Sequence, residues 1–88
     1  MKSILQSEKE CYICKTTEYL EEHHVFGGWA NRTKSEETGL KLYLCHFHHV
    51  MIHHNREEEL KLKRFAQEIF EETHSREEFR QIFGKSWL

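Results

Sequence analysis

Two short pairs of metal-ligating residue types, Cys11-Tyr-Ile-Cys14 and Cys45-His-Phe-His48, restrict this chain more than any other feature. Thiolate and imidazole are the usual ligands of transition metals. With two residues between its members, a pair can bring both side chains to one ion at ~2.0–2.3 Å, and two such pairs close a tetrahedron without a water position. The spacing therefore predicts a structural zinc ion on Cys11, Cys14, Cys45 and His48, tying the amino-terminal arm to the middle of the chain. His46 is the alternative fourth ligand. A redox pair, or ordinary buried thiols, is the competing account of Cys11 and Cys14. Three cysteines, an odd number, argue against a disulfide framework.

A second set of ligands has a different spacing. The chain carries eight histidines in 88 residues, and five of them fall between Cys45 and His54. His49 and His53 are four apart, so on a helix they project from one face one turn apart. A catalytic ion needs three protein ligands and open positions, and His23, at the end of a preceding strand, is the natural third. His24 then faces the opposite way, free to take a proton from water, and imidazole suits general-base work near neutral pH. His54 is the substitute for His53, about 100° further round the helix. A second structural zinc, or scattered surface histidines, is the plainer account of this set.

At 88 residues the chain predicts one α+β domain, spanning residues 1–88, whose thin core a structural metal would support. Apolar residues make up 38% and charged residues 32%, as in a small soluble protein, and no stretch is long and apolar enough for a membrane span. The start lacks a secretory signal, so the expected location is the cytoplasm, of a bacterial host or phage-encoded. The formal charge is −2, so any phosphate contact must be local, made by the Gly27–Tyr43 segment and by bound cations.

The first ten residues read as an arm that packs or frays. A short strand is expected within residues 17–25, ending in His23-His24, then a polar loop over residues 29–39. A second strand follows over residues 40–44, and a helix from Cys45 to about His54. Asn55 with Glu58, and Ser75 with Glu78, read as caps of two further helices, the last ended by Gly84. The stripe Phe65, Phe70, Phe79, Phe83 and Trp87 is expected to be core. Residues 11–54 are the metal-binding core and residues 55–88 a helical extension.

Glu21-Glu-His-His-Val-Phe-Gly-Gly28, Arg32-x-Lys-Ser35 and Gly39-Leu-Lys-Leu-Tyr-Leu-Cys-x-x-His-His-x-x-x-His53 together resemble the HNH endonucleases, and most closely the small HNH-like proteins of phages and prophages. The resemblance covers residues 11–54 and is less specific in the helical tail. It implies a ββα-metal core, a hairpin and a helix gripping a divalent ion, braced by a zinc held in paired knuckles. By position, His24 matches the general base, and His23, His49 and His53 match the ligands of the catalytic ion. Cys11, Cys14, Cys45 and His48 match the zinc knuckles, with His48 where many members have cysteine. The activity implied is metal-dependent hydrolysis of phosphodiester bonds in DNA, with Mg2+, Mn2+, Ni2+ or Zn2+ as the catalytic ion. Arg32 and Lys34 would hold the phosphate, although solvated loop charges explain them equally well. Trp29 would wedge against a base or sugar, or close over the core as a lid.

One position departs from that pattern. The central Asn that usually orients the base should fall near Gly39 or Leu40, and neither has a hydrogen-bonding side chain. Orientation would pass to a backbone carbonyl, Ser35, Thr38 or a loop glutamate. The alternative functions are a catalytically degenerate zinc module that binds nucleic acid or a protein, and a purely structural zinc domain. A nuclease this short would act as a homodimer or with a protein partner, because it covers little DNA.

Overall fold

The computed structural model describes residues 1–88. Its elements run β1 (Leu20–His24), α1 (Trp29–Thr38), β2 (Lys41–Cys45), α2 (His46–His53), α3 (Arg56–Phe70) and α4 (Arg76–Phe83). The class is α+β, with one two-stranded antiparallel sheet and four helices. No helix is long and apolar enough to cross a membrane.

Alternation along the strands decides which histidine goes where. Leu20 pairs with Cys45, Glu21 with Leu44, Glu22 with Tyr43, His23 with Leu42 and His24 with Lys41. Glu21 and His23 therefore share a face with Leu42 and Leu44, which are buried in the core with Ile52 of α2. Glu22 and His24 lie on the opposite face with Lys41 and Tyr43. Adjacent residues thus serve two different surroundings.

Residues 29–39, expected as a polar loop, form helix α1 and its cap. Ser35 is the buried residue of that helix, so no apolar periodicity announces it. Polar contacts hold it instead. The Ser35 hydroxyl donates to Phe26 O at 2.9 Å and accepts from Phe26 N at 3.2 Å. Gly39 ends the helix in the left-handed conformation, with its N–H on Ser35 O. A side chain at Gly39 is doubly excluded: φ is +76°, and a Cβ would lie 2.5 Å from Lys2 O. Trp29 is not a lid on the core. It begins α1 immediately after Gly28, whose φ of 89° and ψ of 164° suit glycine alone, and it is 97% exposed.

The expected caps are present. Asn55 Oδ1 accepts from Glu58 N at 3.1 Å at the start of α3. Ser75 and Glu78 make both halves of a capping box on α4, and Gly84 ends it in the left-handed conformation. Phe70, Phe79 and Phe83 are buried as core, with Phe65 and Trp87 packed partly against them. Phe26 joins them, its ring 4.7 Å from those of Phe83 and Trp87. Each buried ring contributes roughly 1.5–3 kcal/mol, so Phe26 anchors the exit of β1 onto the carboxy-terminal helices. Gln67 is fully buried and fully bonded, to Glu71, Ser86 and the Trp87 N–H, which fixes the last residues on α3.

The arm packs and does not fray. Ile4 N donates to Gly39 O at 2.9 Å, and the Ser3 hydroxyl donates to Lys41 O. On β2, Tyr43 N donates to Gln6 Oε1 at 2.9 Å and Tyr43 O accepts from Tyr12 N at 2.9 Å.

Candidate metal centres

Cys11, Cys14, Cys45 and His48 converge from three places: the knuckle before β1, the end of β2 and the first turn of α2. Cys45 is both the last residue of β2 and the N-cap of α2, so its sulfur and the imidazole one turn later face the same point. The distances are 3.8 Å for Cys14 Sγ to Cys45 Sγ, 3.6 Å for Cys11 Sγ to His48 Nδ1 and 3.2 Å for Cys45 Sγ to His48 Nδ1. A tetrahedral zinc with ~2.3 Å sulfur and ~2.0–2.1 Å nitrogen bonds has edges of about 3.8 Å between sulfurs and 3.5 Å between sulfur and nitrogen. The observed spacing fits that polyhedron and excludes a disulfide, whose sulfurs lie ~2.05 Å apart. The cluster can hold a metal ion such as zinc.

The electrostatics of the sulfurs agree. Burial raises the Cys11 thiol, but backbone N–H groups of Cys14, Cys45 and Ile13 outweigh it and bring the pKa down to about 6. Cys14 shifts upward even though the Thr16 N–H lowers it, because burial and the sulfurs of Cys11 and Cys45 oppose a further thiolate. A divalent cation removes that repulsion. His46 does not take part. It is exposed, and its Nδ1 lies 3.0 Å from Glu21 Oε2.

His23, His49 and His53 form the second cluster, with ligand atoms within 4.8 Å of one another. The rings of His23 and His49 are 5.1 Å apart, those of His23 and His53 5.6 Å, and those of His49 and His53 4.8 Å. Nε2 of His49 lies 3.2 Å from Nε2 of His53, the separation expected of two ~2.1 Å nitrogen ligands on one ion. His23 Nε2 is buried and has no hydrogen-bond partner. A buried ring nitrogen without a partner is costly, and a cation would satisfy it. Burial pushes the His23 imidazole down to about 4, with His49 and His53 adding to the shift, so the ring stays neutral, as a ligand must be. His54 is the exposed C-cap of α2 and lies outside the set.

Glu21 buttresses this cluster. Its Oε1 lies 2.7 Å from His49 Nδ1, and contact first with His49 and then with His46 holds its carboxyl below the usual range. A proton on Nδ1 donated to Glu21 leaves His49 Nε2 as the free donor atom, the arrangement that commonly orients metal-bound histidine. Sequence reasoning assigned Glu21 no role, although it stands two residues before His23 and so on the same strand face. Replacement by glutamine is expected to weaken divalent-ion binding at the histidine cluster about 10–100-fold while leaving zinc content unchanged. Calorimetric titration with Mn2+ measures it, and an unchanged affinity would remove Glu21 from the site.

A pocket of about 250 Å³ joins His23, His49 and His53 to His24, Arg32, Glu22, Gly27 and Gly28. The expected site residues therefore meet across β1, α1 and α2. Lys34 is not among them. It follows Arg32 by two positions on α1, about 200° round the helix, and does not line the pocket. His24 contacts none of the three ligand rings and keeps to its own face. Its Nε2 lies 2.9 Å from Glu36 Oε2 and 3.4 Å from Glu22 Oε1. Lys41 Nζ in turn lies 2.7 Å from Glu36 Oε1. Lys41, followed by His24, holds the Glu36 carboxyl down at about 2, so it is ionised throughout the physiological range.

No family model matches this chain, and no curated protein or solved structure does either.

Proposed function

We propose that this chain is a metal-dependent endonuclease of HNH type that hydrolyses phosphodiester bonds in DNA, built on a zinc-braced ββα-metal core. The observation that carries the reading is the buried, unpartnered Nε2 of His23 facing His49 and His53 in a pocket shared with His24 and Arg32. A sealed structural site would complete its shell with a fourth protein ligand, whereas this one offers three. Its nitrogen set would hold Mg2+, Mn2+, Ni2+ or Zn2+, which when bound stabilises charge developing on the phosphate and its 3′ leaving oxygen. His24 takes a proton from the attacking water. Arg32 grips the phosphate, its planar guanidinium matching two oxygens at once. Trp29 lines a shallow groove with Arg32, Gly28 and Thr33 and offers an exposed face to a base or sugar.

The test is nicking of supercoiled plasmid by zinc-loaded protein. Cleavage is expected on adding Mg2+, Mn2+ or Ni2+, is stopped by chelator and is lost in His49→Ala. Plasmid left intact by the parent protein with every ion would return the chain to the second reading, a zinc module that binds nucleic acid or a protein. Tyr19 and Phe47, 83% and 73% exposed and lining one groove with Cys45, favour that reading.

A further inference from the structure

The imidazole of His24 is bonded to a carboxylate from another element, and that carboxylate is itself held by an ammonium. The chain runs Lys41 Nζ, Glu36 Oε1 at 2.7 Å, Glu36 Oε2, then His24 Nε2 at 2.9 Å. It joins β2, α1 and β1, and its His24 end lines the pocket shared with the histidine cluster. Glu22 adds a weaker contact to both the imidazole and the ammonium, at 3.4 Å from each. Glu22, His24 and Glu36 also have the spacing of a metal site, but the Lys41 ammonium already sits against both carboxylates and fills the role of the cation.

We propose that Glu36 is the positioning residue for His24, fixing the tautomer in which Nε2–H donates to the carboxylate and Nδ1 is left unprotonated. Lys41 holds Glu36 in place by binding its other oxygen. The catalytic part of this inference rests on the hydrolase reading, while the tautomer does not. In the reaction the water oxygen bonds to phosphorus as its proton passes to His24 Nδ1 and the 3′ oxygen departs with the electron pair of its bond. The Nε2–H stays with Glu36, which binds the resulting imidazolium more strongly than the neutral ring. A carboxylate in this position performs the orientation that the HNH pattern assigns to a central Asn, absent here at Gly39 and Leu40. It becomes possible because residues 29–38 are helical, which presents Glu36 to the strand.

Two measurements test it. Nitrogen NMR of the zinc-loaded parent should show the His24 ring in the Nε2–H form. In Glu36→Gln, whose amide can donate to Nε2, the Nδ1–H form should gain population. With Mn2+ and a DNA oligonucleotide, Glu36→Gln should lower kcat about 10²–10⁴-fold with KM unchanged, as loss of an orienting carboxylate does elsewhere. Glu36→Asp, which keeps the charge, should recover part of that loss. A parent ring in the Nδ1–H form overturns the proposal, and so does a Glu36→Gln protein that cuts at the parent kcat. A parent that cuts no DNA yet shows the Nε2–H form, lost in Glu36→Gln, sinks the hydrolase reading and leaves the positioning intact.

Discussion

A zinc ion on Cys11, Cys14, Cys45 and His48 is expected to be what keeps the whole chain folded, so that a chelator unfolds it. Only 18 of 88 residues are buried, and a domain this size buries too little surface to be more than marginally stable on its own core. The four ligands tie three separate parts of the chain at one point, so without the ion the arm, β2 and α2 lose their common anchor. Structural zinc sites contribute on the order of 10–16 kcal/mol at neutral pH, more than the net stability of an ordinary domain. Cys11→Ser should show the same loss, because a hydroxyl is a far poorer zinc ligand than a thiolate. Circular dichroism and metal analysis decide the matter. A zinc-free Cys11→Ser protein that melted within a few degrees of the parent would show that the core stands alone.

The second large effect is on chemistry. His24→Ala should reduce DNA cleavage by about 10²–10⁴-fold, the usual contribution of a positioned general base. Its fold and metal content should be unchanged, because His24 contacts Glu36 and Glu22 and none of the ligand rings. His53→Ala should fail differently, by loss of divalent-ion affinity at the histidine cluster. Single-turnover cleavage with saturating Mn2+ separates the two, since excess ion rescues a weakened site and cannot replace a missing base. A His24→Ala protein that cut like the parent would move the base to another residue.

What could be read beforehand depended on fixed short offsets. The two knuckles, the His49–His53 step, and the Ser75–Glu78 box with Gly84 are all local patterns with one geometric meaning, and each appears where its spacing put it. His23 and His24 were separable because strand parity forces neighbours apart. Helix α1 was hidden because it buries a serine and carries no apolar stripe. Glu36 was one of several candidates to orient His24, and only the helix selects it, by bringing it to 2.9 Å from the ring. Phe26 passed unremarked as core because its partners, Phe79, Phe83 and Trp87, come from the far end of the chain. Trp29 shows the reverse error: of its two readings, wedge or lid, the lid fails because the ring lies in solvent.

The seating of the arm on β2 has a consequence beyond holding residues in place. A two-stranded ribbon leaves both outer margins open to pairing, and an unguarded margin invites a foreign strand. At Tyr43 the free amide is met by the Gln6 side chain and the free carbonyl by the Tyr12 amide. The amino-terminal stretch therefore works as a built-in guard against self-association, and a chain trimmed past Gln6 would trade solubility for a sticky rim.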